Sequence, residues 1–452
     1  MMAQRYDFFA KQGALGHDPY FCRMQRTLSD RDQAVIWHPY TQMQTAPAPI
    51  GIVRGEGARL YDEQGACYID ATSSWWVNIH GHAHPHITTR LAAQAAQLQH
   101  CIFAGYTHEP AVALAEQLLP LLPGEQRKVF YSDNGSTAVE VALKMAIQYH
   151  ANGRDDVAPP RRRLLAFRNA YHGDTFGAMS VSERSVFTKA FDSYLFDVSF
   201  LDLPTMENIG RLCDEVDQLA GDTAAFIFEP LLQGAAGMLV YQAAALDLLL
   251  KHCRGKGILL IADEIFTGFG RTGKDFAMQH LQTAPDVICL SKGLTGGAIA
   301  LGVTTCAQHI YDAFLSENKL KTLFHGHSFT ANPLACTAAL ASLELFREPA
   351  CRQQRQRVSE AHAQFAGWLN NCPSVKNVRQ LGTLLAFDVI TAGPDTYTNE
   401  LAAAIHRFFR ARKVMLRPLG NTIYILPPYC ITNEELEVVY DSVRDFLRET
   451  GN

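Results

Sequence analysis

The sequence predicts an α/β protein with a mostly parallel central sheet and a smaller α+β domain after it. Three observations carry that expectation. Short apolar runs alternate with stretches of helical periodicity through the middle of the chain, the pattern that βαβ units leave in a sequence. Near residue 345 the pattern changes to longer polar helices with further short strands. At 452 residues and 48% hydrophobic composition, the chain has apolar mass for two or three core-forming units.

KVFYSD (128–133) reads as a strand, because its β-branched and aromatic residues run into turn chemistry. The helix after it puts Val139, Leu143, Ala146 and Ile147 on one face and stops at Asn152-Gly153. LLAF (164–167), AAFIF (224–228), ILLIA (258–262) and VICLS (287–291) are further strands, with ALDLLLKHC (245–253) a helix between two of them. Right-handed crossovers between such strands make the sheet largely parallel. Beyond 345 come a polar helix (352–370), LLAFDV, a helix (399–412), VMLRP and TIYILPP. A last helix opens on a capping box, Thr432 with Glu435, and buries Leu436, Val439, Val443 and Phe446. The first roughly 30 residues are expected to be the least ordered.

Charged residues make up 19% of the chain and the formal net charge is -5, so nothing draws it in bulk to nucleic acid or an anionic membrane. The one dense basic run, Arg161-Arg162-Arg163, follows Pro159-Pro160 and reads as a solvated loop leading into a strand. Eleven cysteines are scattered without Cys-x-x-Cys spacing, which suits reduced thiols in a reducing compartment. The opening MMAQRYDFFAKQGALGHDPY lacks the apolar core of an export signal, and no apolar stretch approaches the ~18 residues of a membrane span. A soluble cytosolic protein is expected.

Ligands of an open parallel sheet gather beyond the carboxyl ends of its strands, and four segments should converge there. In IADEIFTGFGRTG (261–273), Asp263 follows an apolar strand and is either a buried acid with a partner or a surface turn residue. In VICLSKGLTGG (287–297), Lys292 ends an apolar run. Away from water its amine would be a nucleophile; otherwise it snorkels to solvent. Only 29 residues separate the two, so both can sit on neighbouring strand ends and reach one small ring. The pair suits pyridoxal phosphate: the amine bonds the aldehyde carbon, and the carboxylate keeps the ring nitrogen protonated as part of an electron sink. Such an ion pair is worth ~4 kcal/mol at an effective dielectric near 20. SDNGSTAVE (132–140) is a strand–turn–helix junction where Gly135 and Ser136 offer free N–H groups to a phosphate, or simply cap a helix. FHGHSFTANP (324–333) offers a second cradle through Gly326, His327 and Ser328, or an ordinary turn.

Two patterns point elsewhere and are weak. GFGRTG (268–273) matches the dinucleotide fingerprint, but five residues separate it from its strand and no amphipathic helix follows. His80, His82, His84 and His86 alternate as zinc ligands on a strand might, but Gly81 and Pro85 break any strand there. No metal is expected.

Together these segments resemble the class III pyridoxal-phosphate aminotransferases, whose signature stands here as IADEIFTGFGRTG followed by DVICLSKGLTGG. The resemblance runs from about Trp37 to the end of the chain. It implies the fold-type-I architecture, with a large cofactor domain (75–345), a small domain drawn from both chain ends (1–74 and 346–452), and a homodimer with shared active sites. Within the class, WHPYTQM (37–43), SSWWVNIHGH (73–82) and LRPLGNTIYILPPY (416–429) are similar to the members that aminate 8-amino-7-oxononanoate to 7,8-diaminononanoate in biotin biosynthesis, with S-adenosylmethionine as donor. An ω-aminotransferase using a diamino acid or polyamine donor is the alternative. The resemblance implies that Lys292 holds the cofactor, Asp263 pairs with its ring nitrogen, and Gly135 and Ser136 bind its phosphate. His327 and Ser328 would complete that phosphate site from the other subunit; His327 stands where close relatives often carry proline. Tyr171 would lie over the ring, and Tyr40, Trp75, Trp76, Gly326 and Arg417 would line the substrate pocket. A guanidinium at 417 suits the substrate carboxylate, and the aromatics suit an alkyl chain and a sulfonium cation. Both tryptophans cannot point the same way in an extended segment, so one of them is expected to be structural.

Overall fold

The computed structural model describes residues 26–153, 161–393, 395 and 397–450. The chain divides into two compact units, residues 1–54 with 61–66, and residues 55–60 with 67–452. The first unit carries the helix Leu28–Val35, closed at its start by a reciprocal capping box between Thr27 and Asp30. Glu63 accepts from the N–H of Leu28 at 3.0 Å. The expectation of poor order at the start of the chain falls mostly on residues outside those described; Leu28–Val35 is the part of it that is described, and it is helical.

The second unit holds a seven-stranded sheet: β1 (Gln126–Ser132), β2 (Arg163–Phe167), β3 (Ser199–Leu201), β4 (Thr223–Phe228), β5 (Leu259–Asp263), β6 (Val287–Leu290) and β7 (Gly302–Ala307). Their spatial order is β1-β7-β6-β5-β4-β2-β3. Strand β7 runs against both of its neighbours, and the remaining pairings are parallel. The sheet is therefore mostly parallel, as expected. β7 is not evident from the sequence, because GVTTCA lies just beyond a glycine-rich turn and lacks the long aliphatic side chains that mark its neighbours.

Alternation along the strands sorts the core. Leu164, Ala166, Ala225, Ile227, Leu259 and Ile261 pack with Val139, Leu143 and Ala146 of the helix Gly135–Asn152. Leu165, Phe167, Phe226, Phe228, Leu260 and Ala262 face the other way, onto Leu246, Leu249 and Leu250 of the helix Ala243–Gly255. Each fully buried Leu or Phe contributes roughly 1.5–3 kcal/mol. The period of two thus sends Asp263, in step with Leu259 and Ile261, toward the face of the Gly135–Asn152 helix.

Beyond 345, the antiparallel sheet Val375–Leu381, Leu384–Val389 and Thr422–Ile425 packs against the helices Pro349–Leu369, Leu401–Ala411 and Asn433–Thr450. Thr432 and Glu435 make the expected box at 2.8 and 3.2 Å, and Leu436, Val439, Val443 and Phe446 are buried. The arginine run is a loop leading into a strand, as expected, with Arg162 exposed and Arg161 only half-buried. Arg163 begins β2, and the Nη1 of Arg161 donates to the carbonyls of Thr223, Lys256 and Gly257, because strand ends leave carbonyls that a guanidinium can satisfy. Pro159 and Pro160 lie outside the described residues. Among the described residues, no helix is long and apolar enough to cross a membrane, and ten cysteines are free thiols.

Candidate active site

Register brings three chemical groups to one edge of the sheet. Ala262 of β5 pairs with Phe228 of β4, and Asp263 with Cys289 of β6. Glu229, Asp263 and Lys292 therefore follow neighbouring strands at the same edge. Asp263 is buried; its Oδ2 lies 2.7 Å from Nδ1 of His172, and its Oδ1 accepts from the N–H of Ile265 at 3.1 Å. Of its two readings, the buried acid with a partner is the one observed. Glu229, also buried, accepts from the N–H groups of Tyr171 and Gly234 at 3.1 and 3.0 Å. Burial lifts its carboxyl to about 7, and the proximity of Asp263 pushes the same way.

Lys292 opens a short 3-10 turn, with its own backbone left-handed (φ 46°). Its Nζ lies 4.5 Å from the ring centre of Trp76 and 5.4 Å from that of Phe266. Desolvation lowers its pKa, Asp263 and Glu229 oppose that, Arg271 adds to it, and the net value is about 8. A lysine so placed is neutral in about one molecule in ten at pH 7, far more often than an ordinary lysine. It does not snorkel.

The helix Gly135–Asn152 points its free N–H groups toward this edge. Asn134 caps it by accepting from Thr137 N–H at 3.0 Å. A Cβ on Gly135 would sit 3.0 Å from Ile265, two residues past Asp263, so the helix start and the strand end are in contact. Ser136 Oγ accepts from Asp174 N–H at 3.1 Å, and a Cβ on Gly173 (φ 132°) would fall 2.1 Å from that oxygen. Only glycine fits there. Three polar atoms in this neighbourhood, Ser132 Oγ, His172 Nε2 and Thr175 Oγ1, are buried without a hydrogen-bond partner among the described residues. Buried polar groups are normally satisfied, so these orphans mark room for a polar guest. A carboxylate, a primary amine and an anion-binding helix start on one edge make a donor set that fits pyridoxal phosphate.

The tandem tryptophans sit in a strained turn. Ser73, Ser74 and Trp76 all have positive φ (51°, 60° and 70°), each costing on the order of 1–3 kcal/mol. Buried Asp70 holds the turn: it accepts from the N–H groups of Thr72 and Ser74, from Ser74 Oγ and from His82 Nε2. The result sends the two indoles apart. Trp76 is buried and donates to Tyr424 hydroxyl at 3.1 Å beside Lys292, whereas Trp75 is 41% exposed and lies 5.0 Å from the guanidinium of Arg417. Half-buried Arg417 also donates to the hydroxyl of Tyr397 at 3.2 Å.

The remaining expected residues have the following surroundings. Gly326, His327 and Ser328 lie in a loop ahead of the helix Pro333–Arg347, where His327 N–H donates to Thr330 Oγ1 at 3.1 Å. Nε2 of His327 is buried without a hydrogen-bond partner among the described residues. Tyr40 belongs to the first unit, exposed and with φ 52°. The four histidines go to four destinations: His80 to Ser342, His82 to Asp70, His84 to the start of the helix Pro85–Gln97, and His86 to Glu344. In GFGRTG no helix follows; Arg271 is buried and donates to the carbonyls of Trp76 and Pro427. His172, Glu229 and Asp70 were missed by sequence reasoning. Glu229 carried the same signal as Asp263, a carboxylate directly after an apolar strand, and was legible.

Residues 40–447 match the family described as aminotransferase class-III. The chain is 47% identical to an adenosylmethionine-8-amino-7-oxononanoate aminotransferase from Synechococcus elongatus, over 92% of this chain and 98% of that protein. A Geobacter sulfurreducens protein of the same name is 39% identical over 92% of this chain and 96% of its own length. The crystal structure of an adenosylmethionine-8-amino-7-oxononanoate aminotransferase from Methanocaldococcus jannaschii superposes with a TM-score of 0.88 at 34% identity, covering 93% of this chain and 98% of that one.

Proposed function

The chain belongs to the class III aminotransferases, which use pyridoxal phosphate, and from that premise we propose that it moves the amino group of S-adenosylmethionine to the ketone of 8-amino-7-oxononanoate, giving 7,8-diaminononanoate for biotin biosynthesis. The observation that carries this reading is Arg417 beside the exposed face of Trp75, close to the Trp76 that shields Lys292. A guanidinium binds the substrate carboxylate, and an indole face suits both an alkyl chain and a sulfonium.

Bound at this edge, pyridoxal phosphate supplies a protonated ring that withdraws electrons from the substrate carbon. Asp263 holds the proton on the ring nitrogen, steadied by His172. Lys292 Nζ would hold the cofactor through its aldehyde carbon and, once released, would be the amine that takes a proton from the substrate. Gly135 and Ser136 would hold the phosphate and Tyr171 the ring, and Tyr40, Trp75 and Trp76 would bound the substrate. His327 and Ser328 would act on the phosphate of a second copy, so the working enzyme is a homodimer, and Gly326 would line the substrate pocket. The large domain spans 75–345, with 1–74 and 346–452 forming the small one. Unclustered free thiols support a cytosolic setting.

The deciding experiment is a panel of amino donors offered one at a time to the yellow holoenzyme. Adenosylmethionine should bleach the cofactor band, while lysine and ornithine should not. Rapid bleaching by either of those, with adenosylmethionine inert, replaces this reading with a diamine-type ω-aminotransferase.

A further inference from the structure

We infer that Asn78 is a positioning residue that closes a ring of hydrogen bonds around the tryptophan turn and so fixes the indoles that bound the substrate; this rests on the proposed role of Trp75 and Trp76 above. The turn is unfavourable backbone, with positive φ at Ser73, Ser74 and Trp76, and needs outside bonds to keep its shape. Asp70 supplies some of them. Its Oδ2 accepts from Ser74 N–H at 2.7 Å, from Ser74 Oγ at 3.2 Å and from His82 Nε2 at 2.9 Å.

Asn78 joins the two arms that leave Asp70. Its Nδ2 lies 2.9 Å from Ser74 Oγ and 3.2 Å from His82 Nδ1. The hydrogens fall into place without conflict. A carboxylate only accepts, so Ser74 Oγ and His82 Nε2 both donate to it. Ser74 Oγ and His82 Nδ1 then accept one hydrogen each from the Asn78 amide. Asp70, Ser74, Asn78 and His82 thus form a closed ring in which each bond holds the next side chain for the one after it.

The same asparagine faces the cofactor lysine. It is buried, and a Cβ on Gly297 would fall 2.0 Å from its Oδ1. A Cβ on Gly293 would lie 3.2 Å from Ile79, and one on Gly296 3.1 Å from His80. The residues after the tryptophans are therefore seated on the glycine-rich turn that opens at Lys292, and Trp76 comes to 4.5 Å from its Nζ. Seating fixes one end of the tryptophan turn, and the ring ties the other end to it.

The experiment takes wild-type holoenzyme, Asn78→Ala, Ser74→Ala, the double variant and Trp75→Ala, and measures initial rates with adenosylmethionine and 8-amino-7-oxononanoate. Ser74 is exposed, so Ser74→Ala opens the ring without touching the core. KM for both substrates should rise about tenfold in each single ring variant, the scale of one hydrogen bond. Their kcat and cofactor absorbance should stay at wild-type values, because Ser342 still donates to the Gly293 carbonyl and holds the lysine turn. The double variant should lose no more than the worse single, since either change opens the same ring. Losses that multiply to about a hundredfold would mean two independent contacts and would overturn the inference. So would ring variants that unfold at lower urea but keep both KM values, while Trp75→Ala raised them. If Trp75→Ala also left both KM values unchanged, the reading of the tryptophans would fail and the inference with it.

Discussion

Nδ1 of His172 stands 2.7 Å from Oδ2 of Asp263, and both side chains are buried. A carboxylate only accepts, so the ring hydrogen is on Nδ1, and Nε2 is left without a partner among the described residues. With the second oxygen of Asp263 taken by Ile265 N–H, the carboxylate is clamped in both position and plane. A charge-assisted bond of this kind contributes on the order of 1.5–3 kcal/mol.

His172→Phe should therefore lower kcat/KM by roughly 10- to 100-fold. The cofactor should still attach to Lys292, because neither the amine nor the start of the Gly135–Asn152 helix depends on the imidazole. Steady-state kinetics beside the visible spectrum separate the two effects. A variant within about threefold of wild type would show that the clamp is not used.

Period-two strands and the spacing of Asp263 and Lys292 were legible because adjacent parallel strands turn sequence spacing into proximity. What escaped depends on pairing across long separations. His172 is 91 residues from Asp263, and its neighbour Tyr171 drew the attention that a ring-stacking position invites. Asp70 reads as one more acid at a strand end until the strained 73–76 turn shows what it holds. The local rule that two adjacent side chains diverge did foresee that Trp75 and Trp76 would part, but backbone strain, with φ values no propensity favours, decides which one is buried.

Those two tryptophans should respond differently to substitution. Trp76→Ala removes a buried indole and its bond to Tyr424, and should cost about 3–5 kcal/mol of stability together with cofactor retention. Trp75→Ala should leave unfolding within about 1 kcal/mol of wild type, since the ring is 41% exposed, while raising KM for both substrates. Denaturant melts and initial rates on the same preparations make the comparison. Equal destabilisation by both would contradict the division of roles.

Lys292 gives a pH signature. Its amine must be neutral to attack an aldehyde, and desolvation brings its pKa from 10.5 to about 8. The rate at which added pyridoxal phosphate attaches to the apoprotein should rise with pH and level off above about 8. Asp263 favours the ammonium, so Asp263→Asn should move the midpoint lower still. Stopped-flow absorbance from pH 6 to 10 reads both. A rate still climbing between about pH 9 and 10 would mean an ordinary lysine.

Acid stability turns on His362, buried between Tyr440 and Thr383. Nε2 lies 3.1 Å from the Thr383 carbonyl, which only accepts, so Nε2 carries the hydrogen and Nδ1 accepts from Tyr440 hydroxyl at 2.6 Å. Both nitrogens are satisfied in the neutral ring, and burial drops the folded-state pKa from 6.5 to about 3. Below about 6.5 the unfolded chain binds a proton that the folded chain refuses, so stability is complete above that pH and falls as pH drops toward 3. The slope approaches about 1.4 kcal/mol per pH unit for this one group. His362→Phe loses the two hydrogen bonds at every pH but carries no such proton. Its deficit against wild type in urea unfolding should therefore shrink by about 2 kcal/mol between pH 7.5 and 5. His80 shifts in the same direction but is present in both proteins, so it cancels from the difference. A deficit that stayed constant over that range would mean that His362 titrates as freely in the folded protein as in the unfolded chain.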